Sequence, residues 1–321
     1  MHEPEELYQV EADPPQLAEP VLVVALDGFV DAGAAGRLAA AALQEGQAAK
    51  PLVRFDVDVL IDYRSRRPGL RFESDHWADY SAPALEIVAL TDTGGTPYLL
   101  LTGPEPDTQW ERFVAALEQI VRRFGIRLVI GMMGIPMAVP HTRPIGVTAH
   151  ATRRELTEGH ETWFTTAEVP GSAAALLEYR LGQAGHAAMG FAVHVPHYLA
   201  RTEYPQAARA LLDHVGIAAG LFLPTESLTI AAERAEAQIA AQMQASEEVV
   251  HVVQALERQY DMIASGRGKH SQLGLGGELP SAEELAAEVE RFLADQNGGW
   301  TGGDPDATGE DDEQGGPASP S

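Results

Sequence analysis

Apolar and polar positions along the first 224 residues follow two patterns, one typical of strands and one typical of helices. The runs at 21–26 and 128–133 consist of apolar residues with a single glycine, as expected of strands buried on both faces of a sheet. Residues 27–44 turn and then become an alanine-rich helix that ends at Gly46. Residues 108–124 carry apolar side chains at helical spacing, which predicts an amphipathic helix just before the second apolar run.

Further elements of both kinds follow up to residue 196. We expect strands at 52–61, 147–153, 161–169 and 187–196, a helix at 172–185, and a hairpin at 85–103 that turns at Asp92-Thr93-Gly94-Gly95. Strands that alternate with helices of this length favour an α/β fold, with a mixed sheet sandwiched by helices. We therefore predict an α/β core domain over 18–224.

The segments outside this core have a different composition. Residues 225–265 are almost free of glycine and proline, which predicts one long helix or a helical hairpin. A loop at 266–280 precedes a capping box at Ser281 and Glu284 that begins another helix. The resulting domain plan is a flexible acidic N-terminus at 1–17, the core at 18–224, a helical extension at 225–296 and a disordered acidic tail at 297–321.

Charge and composition exclude several classes of function. The chain has a net charge of −25 and no cysteine, which removes disulfides, thiolate metal sites and cysteine nucleophiles. Its acidity disfavours binding to nucleic acid or to an anionic membrane. No apolar run approaches the ~18 residues of a membrane span, and the N-terminus lacks a signal-peptide pattern. We expect a soluble cytoplasmic protein.

One arginine-rich segment precedes the predicted hairpin. Its arginines lie beside acidic residues, so we interpret the segment at 60–72 as a mixed-charge surface. The same segment combines arginine with aromatic residues, a composition found at protein interfaces and on ordinary loops alike. The basic residues are Arg64, Arg66, Arg67 and Arg71.

The loop at 134–144, GIPMAVPHTRP, offers the first candidate chemistry. Three prolines restrict its backbone, so His141 and Arg143 are presented on a loop with few conformations. Polar groups held just beyond a strand end are typical of ligand sites in open α/β folds, and an arginine suits a carboxylate or phosphate. The alternative is that the prolines only end a strand at the edge of the sheet.

The turn after the first apolar run offers a second candidate. Asp27 and Asp31 stand among glycines that would allow an anion to approach a helix N-terminus. The spacing matches neither a dinucleotide-binding motif nor a P-loop, and both carboxylates would repel phosphate. Asp31 is equally suited to cap the following helix.

Histidines after the strand at 187–196 complete the candidate set. His194 and His197 follow a buried strand in the same way as the loop at 134–144, so we expect the two loops to meet at one edge of the sheet. Metal ligand spacing and supporting partners are not evident. A nucleophile elbow, G-x-S-x-G, requires glycine on both sides of the serine and residue 174 is alanine, so we interpret Ser172 as a helix cap. We assign no catalytic residue, no metal and no cofactor.

Several of these segments together resemble the proteasome assembly chaperone 2 family, in its actinobacterial-type branch. The resemblance covers about 20–224 of this sequence. It is carried by ALDGFVDAG at 25–33, DYRSRRPGLRF at 62–72, LLLTGPEPDTQWERF at 99–113, IPMAVPHTRPIGVTAHAT at 135–152, VPGSAAALLEYRLGQAGH at 169–186 and GFAVHVPHYLA at 190–200.

This resemblance implies a fold, a way of acting and partners. The fold would be similar to the nucleoside phosphorylase and hydrolase-like architecture, in an oligomer without established enzymatic activity. Eukaryotic relatives help to assemble the proteasome α-ring, several through a C-terminal motif of a hydrophobic residue, tyrosine and any final residue. Here the last residues are GGPASPS, without that motif.

Two hypotheses of different kinds follow. The first is a non-enzymatic homo-oligomer, a trimer rather than a dimer, that binds proteasome subunits or other proteins. The alternative is a small-molecule-binding protein or hydrolase-like enzyme. Its pocket at the carboxyl ends of the strands would be lined by Asp27, His141, Arg143, His194 and His197.

Overall fold

The structure of the chain is a computed structural model that describes residues 3–270, apart from 13, 14, 16, 48, 164, 165 and 246. The strands are β1 (Tyr8–Val10), β2 (Val21–Asp27), β3 (Lys50–Phe55), β4 (Leu70–Glu73), β5 (His76–Tyr80), β6 (Glu86–Thr91), β7 (Pro97–Pro104), β8 (Leu128–Met137), β9 (Val147–Ala151) and β10 (Ala188–Pro196). The helices are α1 (Ala35–Gln44), α2 (Val57–Leu60), α3 (Trp110–Arg123), α4 (Ala173–Gln183), α5 (Pro205–Ala219), α6 (Glu226–Ala245) and α7 (Glu247–His270). All described residues belong to one compact unit except Thr166–Glu168, which are exposed and lie in no helix or strand.

The main sheet has eight strands in the order β1-β3-β6-β7-β2-β8-β10-β9. Its four central strands run parallel to one another; in sheet order they are β7, β2, β8 and β10. The outer strands pair antiparallel on both sides, and β6 joins β7 through the turn expected at residues 92–95. The predicted mixed α/β sandwich is therefore confirmed.

Each face of the sheet has its own hydrophobic core. Alternate residues of β2 point to opposite faces, so Val21 and Val23 belong to one core and Leu22 and Val24 to the other. Helices α1 and α5 pack on the first face, and α3 and α4 pack on the second. Burial on both faces explains why β2 reads as an uninterrupted apolar run.

The connections of β2 and β7 leave the sheet on opposite sides. Helix α1 follows β2 and packs on the first face, whereas α3 follows β7 and packs on the second. Because the two strands are parallel neighbours, the loops that leave their carboxyl ends start side by side and then diverge to opposite faces of the sheet. In open α/β sheets such a switch point leaves a crevice beyond the strand ends.

Several local expectations were wrong. The first 17 residues are not flexible throughout, because β1 pairs with β3 and Leu7 is fully buried. The expected strand at 52–61 stops at Phe55, where Asp56 accepts a hydrogen bond from the Asp58 N–H and begins α2. Within 161–169, none of the described residues lies in a strand.

The helical extension starts where the sequence predicts it. Two helices, α6 and α7, occupy most of 226–270, and Leu228 of α6 joins the first core. None of the described helices is both long and apolar enough to cross a membrane. The capping box at Ser281 and Glu284 and the acidic tail lie outside the described residues.

Candidate functional site

The turn after β2 is built around the carboxylate of Asp31. Its Oδ1 accepts hydrogen bonds from the N–H groups of Gly36 (2.8 Å) and Gly134 (3.0 Å), and its Oδ2 accepts from Arg37 N–H (3.0 Å). Gly36 and Arg37 lie in the first turn of α1, where backbone N–H groups lack partners within the helix. Asp31 therefore caps α1 and ties it to β8.

Burial raises the pKa of Asp31, more than its three backbone hydrogen bonds lower it. The close approach of this turn to β8 requires glycine at residue 134, because a Cβ there would lie 2.1 Å from the carbonyl oxygen of Ala32. Gly33 has a φ of 66°, a left-handed backbone conformation that favours glycine. The turn is thus a fixed structural element.

A cleft of about 470 Å³ opens beyond the ends of β2 and β7, at the switch point of the sheet. It is lined by Asp27, Gly28, Phe29, Arg66, Glu105, Pro106, Asp107 and Trp110. Of the candidate residues from the sequence, only Asp27 belongs to this lining.

Glu105 fixes one wall of this cleft. The side chain is 5% exposed, and its carboxylate accepts hydrogen bonds from Ala173 N–H at 2.6 Å and from Phe29 N–H at 3.3 Å. A Cβ at residue 28 would lie 2.6 Å from Glu105 Oε2, so Gly28 is needed for this approach. The carboxylate joins the turn after β2 to the first turn of α4.

Arg66 closes the cleft on the other side. Its guanidinium forms an ion pair with Asp107 at 2.8 Å and donates a hydrogen bond to the carbonyl oxygen of Asp27 at 3.2 Å. Trp110 donates its indole N–H to the carbonyl oxygen of Pro106 at 2.5 Å, which fixes the ring at the start of α3. Three separate segments thus form one site.

The loops at 134–144 and 194–198 meet, through His141 and Tyr198. The hydroxyl of Tyr198 accepts a hydrogen bond from the backbone N–H of His141 at 2.9 Å, and the same hydroxyl oxygen lies 2.6 Å from His141 Nδ1, within hydrogen-bond distance. Burial lowers the pKa of His141, and the carboxylate of Glu257 offsets only part of this effect. Burial also raises the pKa of Tyr198 to about 12.

Helix α7 covers the guanidinium of Arg143. Asp261 accepts two hydrogen bonds from this guanidinium, at 2.8 and 2.7 Å, and Glu257 accepts a third at 3.2 Å. Thr142 donates its hydroxyl to Glu257, and Tyr260 donates to the carbonyl oxygen of Pro144. The guanidinium of Arg143, which suggested an anion site, is therefore paired with carboxylates of the same chain.

His194 and His197 have different surroundings. His194 lies inside β10 and is 1% exposed, with Nε2 2.8 Å from the hydroxyl of Thr148 and its ring against Trp163. His197 follows the strand and packs its ring against Tyr198. The described lining of the cleft contains neither these residues nor His141 and Arg143. A common pocket for all five residues stays a prediction.

Two further expectations concern chemistry. Ser172 accepts a hydrogen bond from Ala175 N–H at 3.1 Å, which confirms its role as the N-cap of α4. In the part of the chain that the structure describes, no group of three histidine, aspartate or glutamate side chains is arranged to hold a metal ion.

Sequence reasoning missed most of the cleft. Glu105 and Asp107 come within three residues of the end of β7, and Asp27 is the last residue of β2. The available signal was therefore the position of carboxylates at the carboxyl ends of parallel strands. Arg66 was interpreted only as part of a mixed-charge surface. Its pairing with Asp107 supports that interpretation and also places it in the cleft wall.

Comparisons with known proteins identify relatives of the whole core. The model of the PAC2 family matches residues 25–243. Mycobacterium tuberculosis Rv2714, a protein of unknown function, is 50% identical, with 81% of this chain and 92% of that chain covered and a TM-score of 0.78. A protein of unknown function from Corynebacterium glutamicum is 37% identical, with 79% and 97% covered and a TM-score of 0.76.

A third solved structure carries a functional description. The proteasome-assembly chaperone homologue Rv2125 of Mycobacterium tuberculosis is 28% identical, with 73% of this chain and 99% of that chain covered and a TM-score of 0.67. No curated protein matches the chain. The family match spans well over half of the sequence and contains every wall of the cleft, so this protein belongs to the PAC2 family.

Proposed function

We propose that this protein is a non-enzymatic assembly chaperone that binds proteasome subunits through a surface of its core. Membership of the PAC2 family and the similarity to a proteasome-assembly chaperone homologue support a chaperone-like role. The structural observation that carries the proposal is the exposed hairpin formed by β4 and β5.

This hairpin presents large apolar side chains to solvent. All nine residues of its two strands are exposed, and the rings of Phe72 and Trp77 contact each other across the strands at 5.1 Å. The exposed apolar residues of the hairpin are Leu70 (50%), Phe72 (56%), Trp77 (64%) and Tyr80 (51%). Exposed apolar side chains that contact one another in this way are found at sites of protein interaction.

The energetics of the hairpin favour a bound partner. A two-stranded hairpin is only marginally stable in water without a surface to pack against. Aromatic and arginine side chains are enriched at protein interfaces, and Arg71 lies on β4 between Leu70 and Phe72. Burial of one large apolar side chain contributes roughly 1.5–3 kcal/mol, so Phe72 and Trp77 would anchor a partner.

The test is capture of a proteasome α-subunit, produced recombinantly from the organism that encodes this chain. We expect the wild type to retain the subunit and the variant with Phe72→Ala and Trp77→Ala to lose it. Phe222→Ala is the matched control, because Phe222 is an aromatic residue that is 72% exposed outside the hairpin. Binding is measured by surface plasmon resonance and by co-elution.

Two results would contradict the proposal. Failure of the wild type to bind α-subunits, alone or in assembled core particles, would remove the proteasome as the partner. Equal binding by the wild type and the hairpin variant would remove the hairpin as the docking surface. Both substitutions are at exposed positions, so the variants are expected to remain folded.

Self-association belongs to the same proposal. The protein is expected to act as a homo-oligomer, with three copies as the expected stoichiometry, and to leave the hairpin free for its partner. Symmetric assemblies of identical chains are common among folded proteins.

A further inference from the structure

The cleft between the ends of β2 and β7 has an unbalanced charge. Among the residues that the structure describes, its lining contains the carboxylates of Asp27, Glu105 and Asp107 and one basic side chain, that of Arg66. Arg66 and Asp107 form an ion pair at 2.8 Å, so the positive charge of Arg66 is already matched. Asp27 and Glu105 have no basic partner in the described lining, although the carboxylate of Glu105 accepts backbone N–H bonds from Phe29 and Ala173. The net negative charge of the lining disfavours phosphates and carboxylates.

Two aromatic rings form the apolar part of the same cleft. Phe29 is 74% exposed, although its backbone N–H is held by the buried carboxylate of Glu105. Trp110 is held by the hydrogen bond from its indole N–H to Pro106. The described lining of the cleft therefore combines two aromatic rings with the carboxylates of Asp27 and Glu105.

Both carboxylates retain acceptor capacity. Asp27 is exposed at the end of β2. Among the described residues, the Oε2 of Glu105 accepts one long hydrogen bond, from Phe29 N–H at 3.3 Å. A carboxylate oxygen accepts two hydrogen bonds, so a donor group in the cleft has acceptors on both sides. Ammonium and guanidinium groups supply several donors with a positive charge, and they also bind to the faces of aromatic rings.

From these observations we propose that the cleft of Asp27, Phe29, Glu105 and Trp110 binds an organic cation, an alkylammonium or a guanidinium group. The charge would lie between Asp27 and Glu105, and the carbon chain would contact Phe29 and Trp110. Two sources offer this chemistry, a lysine or arginine side chain of a protein and a free amine. The proposal does not depend on proteasome binding, because the cleft and the β4–β5 hairpin are tested with different variants.

The experiment measures binding by isothermal titration calorimetry at low ionic strength. The probes are spermidine, agmatine and a capped peptide with a single lysine, beside the same peptide with norleucine in place of lysine. We expect the cations to bind and the norleucine peptide not to bind. A peptide that binds more tightly than the free amines identifies a protein side chain as the ligand, and the reverse order identifies a small molecule.

Variants assign the binding to the cleft. Asp27→Asn keeps the shape of an exposed side chain and removes its charge, and it is expected to weaken cation binding about tenfold, the effect of one charge-assisted hydrogen bond. Phe29→Ala is also expected to weaken cation binding, because it removes the ring that would contact the carbon chain. Asp213→Asn, at an exposed aspartate of α5, is the matched control and is expected to bind as the wild type does.

Three outcomes would overturn the proposal. They are the absence of binding by every cation, equal affinity of the wild type and the Asp27→Asn variant, and equal affinity for the lysine and norleucine peptides. Loss of binding in the Asp213→Asn variant as well would show attraction to the acidic protein as a whole. Failure of these titrations leaves the capture of α-subunits by the hairpin intact, so the two proposals fail separately.

Discussion

Single residues in this protein often join segments that are distant in the sequence. The capping role of Asp31 was one of the two alternatives that the sequence left open, because an aspartate just before a helix is a frequent cap. Its bond to Gly134 spans 103 residues and follows only from the parallel arrangement of β2 and β8. Local chemistry was therefore predictable from the sequence, whereas the partner across the sheet was not.

His141 provides a prediction about pH at the residue scale. Its folded pKa lies below the ordinary 6.5, so between these two values the unfolded chain binds a proton that the folded chain does not. The contribution of His141 to the free energy of unfolding is therefore complete above pH 6.5 and is lost as the pH falls through that window.

The measurement is urea unfolding of the wild type and of His141→Asn at about pH 7.5 and about pH 5.5, on either side of the histidine range. We expect the wild type to lose more stability on acidification than the variant. The pKa of His160 is also lowered, by burial and by His214, so His160 contributes to the pH dependence of stability in both proteins. An identical loss in the two proteins would contradict the role of His141.

Whether a strand could be predicted from the sequence depended on how far its residues are buried. The strands β2 and β10 carry long apolar runs because both faces are covered, and the sequence predicted them closely. The strands β4 and β5 were missed because all their residues are exposed, which leaves no alternation of apolar and polar positions. β1 was missed because three residues are too few to show a period.

Helix α7 supports a prediction at the element scale. The bonds from Arg143 to Asp261 and Glu257 hold α7 on the loop at 134–144. We expect Arg143→Ala to leave the sheet intact and to make hydrogen exchange of the α7 amides several-fold faster, because local opening no longer breaks these contacts. Hydrogen exchange with mass spectrometry measures the effect.

Two further variants make this prediction specific. Arg201→Ala, at an exposed arginine after β10, is the control and is expected to leave exchange in α7 unchanged. The combination of Arg143→Asp with Asp261→Arg restores an ion pair of opposite polarity and is expected to restore part of the protection. Unchanged exchange in Arg143→Ala would show that other contacts hold the helix.

For the whole molecule, topology supplied what the sequence pattern could not. The alternation of strands and helices predicted the layers of the fold, and the meeting of the loops at 134–144 and 194–198 followed from their place after parallel strands. The cleft was not predicted because it combines the turn after β2, Arg66 and the start of α3. Only the order of the strands shows that β2 and β7 are neighbours whose helices diverge.

The proposed homo-oligomer leads to a prediction about mass and salt. Copies with a net charge of −25 repel one another, and salt screens this repulsion while apolar contacts persist. We therefore expect light scattering to show a larger oligomeric fraction as ionic strength rises, up to three times the chain mass of 34.4 kDa. The variant with Phe72→Ala and Trp77→Ala is expected to keep the wild-type mass, because the hairpin is assigned to a different partner. If that variant alone becomes monomeric, the hairpin joins copies of this chain and its assignment to a proteasome subunit is wrong.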